Sequence, residues 1–293
     1  MFAALLLPFF SLLAGWCTQP TTAGLRDKTV RNDFEGLVEA ERTFAAYGQE
    51  HSVQNAFGKY LGNAFLLHKG QFMRGRDIYA QAPEQPGRLV WRPVFADIAA
   101  SGDLGVTTGP WDFRPNTLAD APIRFGNFAT IWRKTASGSW EAVYDGGISH
   151  AAPTKPAAEQ LRPVRYALKQ ESAPADTASR RAELAQVEAD FASRARKCLR
   201  QAYQPVLGPT QELRLLREGE QPFLNTAAWA LTKTSTQPVL LQPVKTEVSA
   251  AGDWGYSIGY MGLLPERGQF LHVWRRTDGQ WKLTMEVLSL RVI

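Results

Sequence analysis

The segment PVFADIAASGDLGVTTGPW, from Pro93 to Trp111, returns as PVKTEVSAAGDWGYSIGYM from Pro243 to Met261. This repeated pattern constrains the fold more than any other feature of the chain. Each copy has alternating residues, a Gly-Asp pair (Gly102-Asp103, Gly252-Asp253), then alternating residues again. That is the short-range signature of two antiparallel strands joined by a tight turn. With Ser101 opposite Leu104, period-two alternation puts Ala96, Ile98, Ala100, Gly105, Thr107, Gly109 and Trp111 on one face. The second copy puts Val244, Thr246, Val248, Gly255, Ser257, Gly259 and Met261 there. The opposite face carries Phe95, Asp97, Asp112, Lys245 and Glu247. The first face is therefore expected to be covered and the charged one to meet solvent or a partner, with Asp97 and Asp112 on a solvated surface.

The self-similarity continues on both sides of the hairpin, which makes it a repeat of domains rather than of a motif. FGNFATIWRKTASGSWEAVYD from Phe125 aligns with RGQFLHVWRRTDGQWKLTME from Arg267, matching Trp132 to Trp274, Trp140 to Trp281 and Asp145 to Glu286. Upstream, Leu37, Glu41 and Phe44 match Leu184, Glu188 and Phe191, and Gly75 falls opposite Asn225. Gly and Asn are the two residues that best accept positive φ. The chain divides into a leader at 1–23, a first domain at 26–150, a Pro- and Ala-rich linker at 151–179 and a second, diverged domain at 180–293. At 293 residues there is enough chain for two ordinary cores.

Within the first domain, Asn32 or Asp33 is placed to cap a helix whose stripe is Phe34, Leu37, Val38, Phe44 and Ala45. A second helix follows from about Ser52, a strand from Ala64 to Leu67, and a short third helix from Arg74. From Leu89 the pattern is all strand: the hairpin, Ile123 to Lys134, and Ser139 to Ile148 with Gly138 at the turn between them. In the linker, Val164 to Leu168 adds at most an edge strand. The second copy repeats the series, opening with a helix through Leu184, Val187 and Phe191 that continues to Cys198, where the thiol reads as a small apolar residue.

Phe2 to Trp16 is an uncharged apolar run too short to span a bilayer and suited to a secretory signal, although no basic residue precedes it. It ends at Cys17 in a lipoprotein-like context, so a lipid on Cys17 and cleavage after Ala23 both stand as readings of an exported protein. With only Cys17 and Cys198, a structural disulfide is not expected. Formal net charge is +5, but 28 acidic residues are scattered among the 33 basic ones, which argues against a nucleic-acid partner. His51, His150 and His272 form no spaced metal set, and no phosphate loop or nucleophile elbow is present. Neither a metal nor another cofactor is expected.

Helices first and an antiparallel sheet afterwards imply an α+β fold in which helices cover one face of a strongly curved sheet. This order, with Gly75-Arg76-Asp77-Ile78, Trp91-x-Pro93, Ser101-Gly102-Asp103-Leu104-Gly105 and Trp132-Arg133-Lys134…Trp140…Asp145, resembles the nuclear transport factor 2-like superfamily, nearest its SnoaL-like and uncharacterised bacterial branches. The resemblance implies two tandem cone-shaped domains of helices packed on a curved, mostly antiparallel sheet. Some members use the cone for catalysis and many for binding or assembly, so the fold does not choose between them.

What the resemblance implies for chemistry is a carboxylate, often beside a tyrosine or histidine, inside the cone. His68 ends the first strand and is a candidate base. Trp140, Ala142 and Tyr144 are expected on one core face, with Asp145 pointing away unless Gly146-Gly147 introduces a bulge that turns it inward. His68, Asp145 and Tyr144 are thus the catalytic candidates, and Trp91, Thr107, Trp111 and Asn127 the ligand-binding ones, the tryptophans reading first as core. The leading expectation is a pocket for a small apolar or aromatic molecule in the first domain with a scaffold second domain, whose cone is collapsed or plainly apolar. The alternatives are an acid–base isomerase, cyclase or dehydratase of the ketosteroid isomerase-like type using His68 and Asp145, and a purely structural pseudo-dimer or homodimer.

Overall fold

A computed structural model describes residues 22–80, 82–155, 161, 176–208, 212–262 and 267–290, with the side chains of 22–30 outside the description. The expectations about Phe2 to Trp16, Cys17 and Val164 to Leu168 concern residues outside it.

The first domain begins with α1 (Thr22–Glu50) and α2 (Val53–Tyr60), then β1 (Phe65–His68), β2 (Gln71–Arg74) and α3 (Gly75–Tyr79). It finishes as β3 (Arg88–Trp91), β4 (Phe95–Ile98), β5 (Leu104–Arg114), β6 (Arg124–Lys134) and β7 (Trp140–His150). The second domain runs α4 (Thr177–Ala195), α5 (Leu199–Tyr203), β8 (Arg214–Arg217), β9 (Phe223–Leu224), α6 (Thr226–Thr234), β10 (Leu241–Val248), β11 (Trp254–Met261), β12 (Gly268–Thr277) and β13 (Gln280–Ser289). Each domain owns one sheet, ordered β2-β1-β7-β6-β5-β3 with β4 also on β5, and β10-β11-β12-β13-β8-β9. Among the named strands the pairings are antiparallel except β1 with β7 and β8 with β13, which are parallel, and an isolated parallel bridge joins His150 to Gly219.

Four local expectations are corrected. Asn32 and Asp33 do not cap α1, because the helix already starts at Thr22; Asp33 instead pairs with Lys134 from within it. The hairpin turn is longer than two residues: Ala99 bonds Leu104 and Ile98 pairs with Gly105. Pairing is displaced by two residues from the expected register, and an even displacement leaves both faces as assigned. In the second hairpin a register shift at Pro243/Lys245 leaves Val244 52% exposed rather than covered. Cys198 is not within a helix; it is the N-cap of α5.

One face of each sheet closes over its own helices. Leu37, Phe44, Trp91, Ala96, Phe128 and Trp132 form the first core, and Leu184, Phe191, Phe270, Trp274, Trp281 and Leu283 the second. The other faces pack against each other: Phe95, Val106, Ile131 and Tyr144 share one cluster with Trp254, Tyr256, Leu271 and Met285. The charged hairpin face thus meets the second domain, which overturns the surface reading of Asp97. It is 2% exposed, receives the Trp254 indole N–H at 2.9 Å and pairs with Arg275 at 2.6 Å. The two hairpin turns cross-cap, Ala100 N–H donating to Asp253 at 3.1 Å and Ala250 N–H to Asp103 at 3.0 Å.

Candidate functional site

The interior of the first cone is organised by α1. Leu37, Glu41 and Phe44 follow one another at helical spacing, so a stripe that buries Leu37 and Phe44 must bury Glu41 too. The carboxylate, fully withdrawn from solvent, accepts from Trp91 Nε1 at 2.7 Å, Thr107 Oγ1 at 2.6 Å and Trp132 Nε1 at 3.1 Å. Burial raises its pKa against the pull of those donors.

Asp145 reaches the same interior through a bulge. Register shifts between Ile131 and Trp132 of β6, so that Trp132 faces Ala142, Ile131 faces Tyr144, and Val143 is the extra residue. The bulge therefore precedes Tyr144 instead of lying at Gly146-Gly147, and it separates the expected trio: Trp140 and Ala142 join the helix-side core, while Tyr144 turns to the interface between sheets. Asp145, next along, faces the cone, where Thr130 Oγ1 donates to it at 2.7 Å. It is deeply set yet only half-buried. Burial first of all, then the neighbouring Glu41, push it up to about 7 against the Thr130 hydrogen bond. Tyr79, on α3, is raised by burial and by the Asp145 charge.

The remaining candidates divide. Trp91 and Thr107 meet at Glu41, and the Trp111 ring lies against the helix-side face of Gly126, 2.4 Å from where a Cβ would sit. His68, two residues on from Leu66 of the same core, lies on the same strand face and is half-buried. Because Phe65 is level with Tyr144, His68 is level with Gly147, on the order of 8 Å from Asp145 along and across the strands. It shares the face of Asp145 without a hydrogen bond to it. Asn127 falls on the other side of β6, with Ala129 and Ile131, and bonds His150 Nε2 at 2.8 Å. Tyr144 and Asn127 are therefore placed between the sheets and not in the cone; the Tyr144 hydroxyl is buried with no hydrogen-bond partner among the described residues.

The second cone is filled, but not with apolar groups. His272 sits between Glu188 (2.9 Å) and Glu286 (2.7 Å), and Glu286 also binds Tyr203 and Arg217. Arg217 stands in the place of His68 and its longer side chain closes the gap to the carboxylate. Although burial opposes its charge, Glu188 and Glu286 raise His272 to about 9; burial likewise opposes the Glu286 charge, yet Arg217 and His272 lower that carboxyl to about 2. Two carboxylates thus face two cations, and the expectation of a collapsed or plainly apolar cone holds only for its being filled. Among the described residues no group of His, Cys, Asp or Glu is arranged to hold a metal.

No family model and no curated protein matches the chain. Among solved structures, an NTF-2 like protein of unknown function from Shewanella oneidensis is 14% identical, covering 37% of this chain and 97% of its own at a TM-score of 0.29. A ketosteroid isomerase-like protein from Erwinia carotovora atroseptica is 14% identical over 37% of this chain and 94% of its own, with a TM-score of 0.31. A cystatin-like fold protein from Burkholderia xenovorans is 16% identical over 39% and 94%, at 0.34. The chain is thus similar, over about two fifths of its length, to NTF2-like and cystatin-like folds that it covers almost whole.

Proposed function

We propose that the protein is exported and that its first domain admits a small apolar or aromatic molecule, with which Asp145 exchanges a proton. The observation that carries this is the contrast at one repeated position. Glu286 is paired with Arg217 and His272, which, against the cost of burial, lower its carboxyl to about 2. Asp145 accepts from the Thr130 hydroxyl and has a second carboxyl nearby and partial access to solvent. A carboxyl raised to about 7 beside a second buried carboxyl is matched to general acid–base work. Trp91 and Trp111 supply apolar wall, and Tyr79 is the nearby phenol. His68 belongs to the rim of the same face, where it would contact the part of the molecule farther from Asp145. The second cone, neutralised from within, serves as scaffold.

The test is proton exchange. Small cyclic aryl ketones incubated with the full chain in D2O are expected to take up deuterium α to the carbonyl, with a rate that rises as pH passes about 7 and falls at least a hundredfold in Asp145→Asn. Exchange equal in wild type and Asp145→Asn removes the acid–base reading. Calorimetric binding of the same ketones by both proteins, without exchange, leaves a binding module only. Export is tested separately, by mass spectrometry of the mature protein for a new N-terminus between Gly15 and Gly24 or a lipid on Cys17.

A further inference from the structure

A cleft of about 560 Å³ opens between α5 and α6 of the second domain, lined by Arg200, Tyr203, Leu207, Trp229, Thr232 and Lys233 among its described residues. The volume is that of a small-molecule site. Its chemistry is sorted by depth. Tyr203 and Thr232 are buried, Leu207 and Trp229 half-buried, and the two cations, Arg200 and Lys233, are exposed. None of the described lining residues is acidic. From behind, the Tyr203 hydroxyl is tied to Arg217 and Glu286. A preformed apolar slot loses little ordering entropy on binding. The two cations at its edge, with no acidic residue among the described lining, select what enters.

We propose that this cleft is a second binding site, distinct from the first cone, for an amphipathic organic anion: one flat or chain-like apolar body lying against Trp229 and Leu207, and one carboxylate or sulfonate head between Arg200 and Lys233. The head belongs at the rim because an ammonium or guanidinium holds an anion best where neither partner must be fully stripped of water. The body belongs inside because Trp and Leu surface gains from leaving water. A neutral molecule of the same shape lacks half of this recognition.

The test uses a matched pair of fluorescent probes on the full chain, 8-anilinonaphthalene-1-sulfonate and the uncharged N-phenyl-1-naphthylamine. The sulfonate is expected to bind and to be displaced by decanoate or 1-naphthoate. In Arg200→Ala/Lys233→Ala its Kd should rise about tenfold or more, with the uncharged probe changed less than about twofold. Both substituted side chains are exposed, so the variant keeps its fold, checked by an unchanged melting curve; Trp229→Ala should weaken both probes together. Asp145→Asn should leave the sulfonate affinity unchanged, which separates this site from proton exchange in the first cone. Unchanged sulfonate affinity in the double variant, an equal loss of both probes there, or loss of sulfonate binding in Asp145→Asn overturns the assignment.

Discussion

Asp145 and Glu286 occupy one position of the repeat in opposite electrostatic settings, and the difference is measurable as a dependence of stability on pH. A folded-state pKa of about 7 means that Asp145 keeps a proton which the unfolded chain releases from about pH 4 upward, so stability falls as pH rises through that window and stays lowered above it. Asp145→Asn should therefore raise stability by roughly 2 kcal/mol at pH 8, discounted for partial solvent access, and by nothing near pH 4, as read by urea melts at both pH values. His272 has the same sign in a higher window: its contribution is complete below about pH 6.5 and is lost through about 9. His272→Gln should cost about 3–5 kcal/mol at pH 6 by leaving two buried carboxylates short of a cation, and should flatten the decline between pH 7 and 9. Glu41, which neighbours Asp145, was legible in principle, since it lies at i+4 from Leu37 and three residues before Phe44 on an apolar stripe and recurs as Glu188. A buried carboxyl is easy to pass over because charged residues on helices are mostly exposed. The partners of Glu41 and Glu188 come from strands 50 to 91 residues away, a proximity no local pattern reports.

At the scale of elements, the hairpins, their faces and the domain repeat were readable because period-two alternation survives a two-residue error in pairing. The β7 bulge was not, because an inserted Val143 looks like any other strand residue; the second copy bears the same shift, between Val273 and Trp274. That one insertion decides that Asp145 faces the cone and Tyr144 the interface. The aligned pair Gly75 and Asn225 shows how one position can meet two demands. Asn225 adopts φ 47°, a conformation asparagine accepts, but Gly75 is not in the left-handed region. Its need is space: a Cβ there would lie 2.1 Å from the Leu61 carbonyl oxygen. Gly75→Ala is therefore expected to destabilise by more than about 2 kcal/mol, and Asn225→Gly to cost less than about 0.5 kcal/mol because glycine takes positive φ without penalty. Chemical denaturation of the two variants decides it; equal losses would mean that both sites are governed by φ.

For the whole molecule, the interface has a pseudo-two-fold pattern with unequal halves. Arg275 meets Asp97 at 2.6 Å with both side chains buried, whereas Arg133 stands 3.9 Å from Glu247 with both partly exposed. Removing one partner of a buried pair strands a charge, so Arg275→Ala should cost about 3–5 kcal/mol and Arg133→Ala less than about 1 kcal/mol. The shared cluster around Ile131, Tyr144, Tyr256 and Met285 gives the two sheets one hydrophobic layer in common, so neither domain has a finished surface on that side. Expressed alone, residues 26–155 or 178–293 would present this layer to water, and exposed apolar faces of that kind associate. Each fragment should appear in sedimentation as a self-associated species, or melt about 10 °C or more below the full chain. Co-expression should restore a one-to-one complex with the melting temperature of the parent, since the cross-caps from Ala100 to Asp253 and from Ala250 to Asp103 require no covalent linker. Carrying Arg275→Ala on the second fragment should abolish that complex first, as a bimolecular interface gives up the effective concentration that the linker supplies. Two fragments that are each monomeric and as stable as the intact protein would mean that the interface contributes nothing to either fold.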